Sequence, residues 1–74
     1  MEQLKKYIEG RIVFLTSPVS FQYGYTTVDE SYARLTELKG LMDRCGEYEL
    51  SNNLRNAIRP LREKIEERYL TSKK

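Results

Sequence analysis

Histidine and tryptophan are absent from this 74-residue chain, and cysteine occurs once, at Cys45. A single cysteine cannot form an internal disulfide, and without histidine the usual zinc ligand sets are missing. The commonest general base is missing too, and Cys45 lacks the imidazole that normally activates a cysteine nucleophile. We therefore expect no enzymatic activity, no metal site and no cofactor. Cys45 itself is predicted to be a small buried hydrophobe.

Long apolar runs are missing as well. The longest uncharged stretch is residues 12–28, IVFLTSPVSFQYGYTTV. Pro18, Gly24 and several hydroxyl side chains interrupt it, well short of the roughly 20 apolar residues that span a bilayer. The first ten residues contain no apolar core of a signal peptide. We expect a protein without a membrane segment that stays in the cytoplasm.

A large excess of either charge is also lacking, since 13 Lys and Arg face 11 Asp and Glu, a net charge of +2. Phosphate contacts dominate the affinity of duplex-binding proteins, so this small excess argues against a nucleic acid duplex as partner. The length predicts a single small domain, residues 1–74, in which burial scarcely offsets the entropy of ordering the chain. Such a domain usually needs extra support, so we expect a homo-oligomer.

Two segments have the periodicity of amphipathic helices. In residues 28–45, apolar residues recur at spacings of three and four, at Tyr32, Leu35, Leu38, Leu41, Met42 and Cys45. Thr27 and Glu30 have the spacing of a capping box at the start, and Gly46 suits the left-handed conformation after the last turn. The second segment, residues 47–70, has the stripe Leu50, Leu54, Ile58, Leu61, Ile65 and Tyr69.

Pro60 lies inside this second stripe and predicts a kink, because it removes the hydrogen bond to the Asn56 carbonyl. An alternative starts a shorter helix at Ser51 or Asn52, which are good capping residues. The short link at Gly46 predicts that the two helices form an antiparallel hairpin. Residues 71–74 are predicted to be a disordered tail.

The first 27 residues allow two interpretations. Leu4, Ile8, Ile12 and Leu15 favour a helix over about 3–15, whose residues 12–15 complete the core, followed by an extended loop over 16–27. The predicted fold is therefore all-α, a three-helix domain built on the helical hairpin, with an extended aromatic loop between helices 1 and 2. The alternative is an α+β fold with a β-hairpin at about 11–27, because Val19, Phe21, Tyr23 and Tyr25 alternate with small or polar residues.

Two groups of side chains are candidates for binding. Phe21, Tyr23 and Tyr25 form an uncharged aromatic segment, typical of protein interfaces and of surfaces that stack nucleobases. Arg55, Arg59 and Arg62, which we name the arginine stripe, have the spacing of one helical face and can hold phosphate. The competing interpretation is that the rings pack over the hairpin and that the arginine stems flank the core.

These features predict a small non-enzymatic regulator or inhibitor that acts stoichiometrically, by binding a larger protein or copies of itself. Helical chains of this size are common among phage and bacterial regulators, an association by size alone. The alternative is an oligomeric protein that sequesters a small nucleotide, with phosphate on the arginine stripe and the base on Tyr23 or Tyr25. That alternative requires the two groups to be adjacent.

Overall fold

The structure, a computed structural model, describes residues 2–72. This range contains four helices, α1 (Glu2–Thr16), α2 (Pro18–Gln22), α3 (Val28–Cys45) and α4 (Tyr48–Ser72), and no strand. The all-α class is confirmed, and the alternative with a β-hairpin at 11–27 is wrong. The predicted number of three helices is also wrong for residues 2–72, because α2 forms in the segment expected to be a loop. None of the helices in this range combines the length and the apolar character that a membrane span requires.

The turn between α3 and α4 is closed by backbone hydrogen bonds around Gly46. Gly46 has φ 77° and donates its N–H to the Asp43 carbonyl at 3.3 Å, while Glu47 donates to the Met42 carbonyl at 2.8 Å. This is the Schellman arrangement, which satisfies two carbonyls at a helix end and requires a residue that tolerates positive φ. Only Gly46 and Glu47 separate the two helices, so the chain enters α4 directly.

Polar contacts join α3 and α4 near both ends. Ser51, close to the start of α4, donates a hydrogen bond to the Asp43 carboxylate near the end of α3. Arg68, close to the end of α4, forms an ion pair of 3.0 Å with Asp29 at the start of α3. The start of each helix therefore lies beside the end of the other.

The helix starts follow from local hydrogen bonding. Thr27 is the N-cap of α3, and its Oγ1 accepts a hydrogen bond from the Glu30 N–H at 3.1 Å. The alternative start of α4 at Ser51 or Asn52 is wrong, because α4 begins at Tyr48 and buried Ser51 contacts Asp43 instead.

Pro60 lies within the continuous helix α4, and the kink there stays a prediction. Helix α4 extends to Ser72, two residues past the predicted end. Residues 73–74 of the predicted disordered tail lie outside the described residues.

Helix α1 packs across α3 and α4 and completes the core, whose buried apolar residues are Ile8, Leu15, Leu35, Met42, Leu50, Leu54 and Leu61. Two sequence-based core assignments are wrong. Cys45 is exposed, because burial along α3 ends at Met42 and Cys45 follows on the last turn. Val13 and Phe14 are exposed too, since α1 turns the Ile8 and Leu15 side toward the other helices.

Residues 16–27 are not an extended loop, because Pro18–Gln22 forms the short helix α2. Ser17 is extended (φ −70°, ψ 131°), the conformation that a residue before proline prefers, and Pro18 then occupies the first helical turn. Gly24, with φ 78°, ends α2 as Gly46 ends α3: its N–H donates to the Phe21 carbonyl at 3.3 Å and the Tyr25 N–H to the Ser20 carbonyl at 2.9 Å.

Candidate functional site

Three aromatic rings, Phe14, Tyr23 and Tyr25, form a group outside the core, which we name the aromatic surface. The ring centroids of Phe14 and Tyr25 are 6.4 Å apart with the planes inclined by 21°, and those of Tyr23 and Tyr25 are 6.0 Å apart. Phe14 is 41% exposed, Tyr23 67% and Tyr25 65%. The Arg11 guanidinium lies 5.8 Å from the Phe14 centroid, so a cation borders the rings.

The backbone on both sides of Tyr25 is fixed by hydrogen bonds. On one side, the Tyr25 N–H is held by the Ser20 carbonyl at the end of α2. On the other, Thr26 is buried and its Oγ1 lies 3.0 Å from the Oγ of Ser31, a fully buried residue in the first turn of α3. Because Thr26 is anchored inward, the neighbouring Tyr25 ring is presented to solvent on an ordered backbone.

Phe21 does not belong to the aromatic surface, although the sequence grouped it with Tyr23 and Tyr25. It is half-buried against the core, and the Lys64 ammonium lies 5.9 Å from its ring centroid. Residues 21, 23 and 25 would point to the same side if this segment were an extended strand. Because the segment forms α2 and its terminal turn, their side chains point in different directions. The structure therefore divides the predicted partner-binding set, placing Phe21 against α4 and the two tyrosines at the surface.

Phe14 is the residue of this surface that the sequence reasoning assigned to the core. Tyr7, Arg11 and Phe14 are spaced by four and three residues, which is a second helical face of α1 beside the buried one. Val13 adjoins Phe14 in an open depression whose lining includes Lys6 and Glu9. Apolar side chains bordered by charged ones have the pattern of a protein interface with a polar rim.

The arginine stripe belongs to α4, whereas the aromatic surface is formed by Phe14 of α1 and two tyrosines that follow α2. Arg55, Arg59 and Arg62 are all exposed on α4. Arg62 forms an ion pair of 3.1 Å with Glu66, whereas Arg55 and Arg59 have no ion pair within the part of the chain that the structure describes. No ring contact or hydrogen bond in that part joins the stripe to Tyr23 or Tyr25.

Asp43 is a carboxylate with an altered pKa, and its contacts are structural. The hydrogen bond from Ser51 lowers the pKa of Asp43, and the Lys39 ammonium, 2.9 Å away, lowers it further. Both contacts favour the ionised form, which joins α3 to α4. Across residues 2–72, no group of three His, Cys, Asp or Glu side chains is arranged to hold a metal ion.

Comparisons with protein-family models, with curated proteins and with solved structures found no match for this chain.

Proposed function

We propose that this protein is a non-enzymatic binding protein whose aromatic surface docks on a protein, either a larger partner or a second copy of the chain. The observation that carries the proposal is the group of Phe14, Tyr23 and Tyr25, three contacting rings that stay exposed on an ordered backbone. Tyrosine and phenylalanine are enriched in interface cores, where rigid rings bury a large area at low entropic cost.

The elongated shape of the molecule is consistent with the proposal. The chain exposes 5717 Å². A compact monomer of 8.8 kDa is expected to expose about 4,800 Å². An elongated shape of 46 × 25 × 14 Å accounts for the large surface and offers broad faces for contact.

The proposed mode of action is stoichiometric, because the sequence lacks the histidine on which most catalytic constellations depend. A lone cysteine fits a cytoplasmic setting, in which thiols stay reduced. The alternative of a nucleotide held between the arginine stripe and the tyrosines gains no support, since no described contact connects those two groups.

Sedimentation equilibrium on the purified chain tests the proposal. We expect the wild type to form a dimer or larger oligomer and Tyr25→Asp to be monomeric, because a carboxylate among the rings is costly to desolvate. Tyr48→Asp is the matched control: Tyr48 is an exposed tyrosine of α4, and aspartate suits the first turn of a helix.

If the wild type is monomeric, tagged wild type and both variants are used to capture proteins from the source cell. One partner at stoichiometric amount, lost with Tyr25→Asp and kept with Tyr48→Asp, is then the expected result. A monomer whose captured proteins are unaffected by Tyr25→Asp contradicts the proposal.

A further inference from the structure

A second surface feature lies between α1 and α3, where three arginines from two helices line one depression. We name it the arginine groove. Its volume is about 320 Å³, and its charged lining residues are Arg11 of α1 and Arg34, Glu37 and Arg44 of α3. The α3 residues that line it follow one another at helical spacing, so they share a face of that helix.

The arginines of the groove carry uncompensated charge. Within residues 2–72, none of Arg11, Arg34 and Arg44 lies in an ion pair, whereas Arg62 and Arg68 each have a carboxylate partner. Among the described residues, Arg44 donates a hydrogen bond to the Gly40 carbonyl alone, at 3.4 Å. Three arginines against one glutamate leave an excess of two positive charges, equal to the net charge of the whole chain.

The remaining lining of the groove is apolar and accessible. Tyr7 from α1 is 57% exposed, and Leu41 from α3 is 47% exposed beside half-buried Leu38. A tyrosine ring with leucine side chains offers a face for a planar group, and guanidinium forks hold phosphate oxygens in pairs. The groove therefore offers an apolar face for the base of a nucleotide and guanidinium groups for its phosphates.

We infer that the arginine groove binds a small phosphate-bearing ligand with an aromatic ring, a nucleotide in chemical class. The phosphates contact Arg34 and Arg44, and the ring stacks on Tyr7. The groove favours a small ligand over a partner helix because α1 lines it with one turn only, Tyr7 to Arg11, and its volume is that of a small-molecule site. This site shares no residue with the arginine stripe, and its Arg11 also borders the Phe14 ring of the aromatic surface.

Titration of the isotope-labelled whole chain with ATP, followed by NMR, tests the inference. We expect saturable shifts in α1 and α3, and binding weakened at least about tenfold in Arg34→Gln/Arg44→Gln, since charge-assisted hydrogen bonds are lost. The matched control is Arg55→Gln/Arg59→Gln, which removes the same charge from the arginine stripe and should change affinity less than about twofold. Adenosine and tripolyphosphate should each bind more weakly than ATP.

Glu37→Gln provides a test that loss of folding cannot imitate. It removes the one carboxylate of the groove, so ATP affinity should increase by about threefold or more at low salt. The inference is overturned if millimolar ATP causes no chemical-shift changes, or if Arg55→Gln/Arg59→Gln weakens ATP binding as much as Arg34→Gln/Arg44→Gln does. If tripolyphosphate binds as tightly as ATP, the proposed role of the aromatic ring is wrong. If a poly-glutamate peptide binds more tightly than ATP and displaces it, the groove is a site for an acidic protein instead.

Discussion

The α3–α4 pair and the segment from Val13 to Tyr25 differ in how many of their apolar residues reach the core. In the helix pair, Leu35 and Leu54 are fully buried and face a common core. In the segment, Leu15 joins the core and Phe21 is half-buried against it, but most apolar side chains remain exposed: Val13, Phe14, Val19 and both tyrosines. Backbone hydrogen bonds and the Thr26–Ser31 contact hold that segment in place. We therefore expect the helix pair to contribute most of the stability, and the proposed function relies on the exposed side chains of the segment.

The largest expected effect is in the helix pair. Leu54→Ala removes a fully buried side chain at the centre of the core and should lower the free energy of unfolding by about 2–5 kcal/mol. That is a large share of the stability of a small domain. Urea unfolding followed by circular dichroism measures it. Leu41→Ala, the same change at a half-exposed position, should cost under about 1 kcal/mol, and equal losses would refute this assignment of the core.

The next effect is at the junction of the two regions. Thr26→Val keeps the shape of the side chain but leaves the Ser31 hydroxyl buried without its partner, so we expect a loss of about 1–3 kcal/mol. Adding Ser31→Ala to Thr26→Val should then cost less than Ser31→Ala does in the wild type, because the orphaned hydroxyl is removed. Strict additivity of the two changes would show that the contact does not join the segment to α3.

Substitutions at the two positive-φ glycines allow a direct comparison of the two regions. Gly46→Ala and Gly24→Ala each place a Cβ in the left-handed conformation, at a cost of about 1–2 kcal/mol. Gly46→Ala should lower global stability in urea unfolding, whereas Gly24→Ala should mainly speed hydrogen exchange at the Tyr25 amide.

Gly10→Ala is the control for these two variants. Gly10 lies inside α1 with nothing within 4 Å of an added Cβ, so alanine there should stabilise the protein by about 0.5–1 kcal/mol. If all three variants destabilise the protein alike, positive φ is not the cause.

Periodicity predicted the all-α class because long apolar stripes at helical spacing occur in α1, α3 and α4. The short helix α2 was not predicted, because it is too brief to show an apolar stripe. In addition, apolar and polar residues alternate from Val19 to Tyr25 as they do in a strand. A signal was present: Pro18 near the start and Gly24 just past the end is the usual asymmetry of helix termini.

The candidate site was only partly predictable, for a different reason. Tyr23 and Tyr25 lie in the aromatic surface. Phe14 was assigned to the core with the whole run 12–15, although it lies outside the helical stripe of α1 that the structure buries. The arginine groove combines Arg11 with Arg34 and Arg44, residues far apart in sequence that only the packing of α1 on α3 brings together.

The smallest expected effect is the pH dependence of the contact between Asp43 of α3 and Ser51 of α4. The pKa of Asp43 is lowered in the folded chain, first by the Ser51 hydrogen bond and then by Lys39. The stability that this carboxylate contributes is therefore present above the ordinary aspartate pKa of about 3.9 and is lost as the pH falls through the lowered value. Ser51→Ala should raise the pKa of Asp43 toward its ordinary value, and Lys39→Met should raise it less. NMR titration of the Asp43 carboxyl measures both, and an unchanged pKa in Ser51→Ala would mean that Ser51 does not hold this carboxylate in solution.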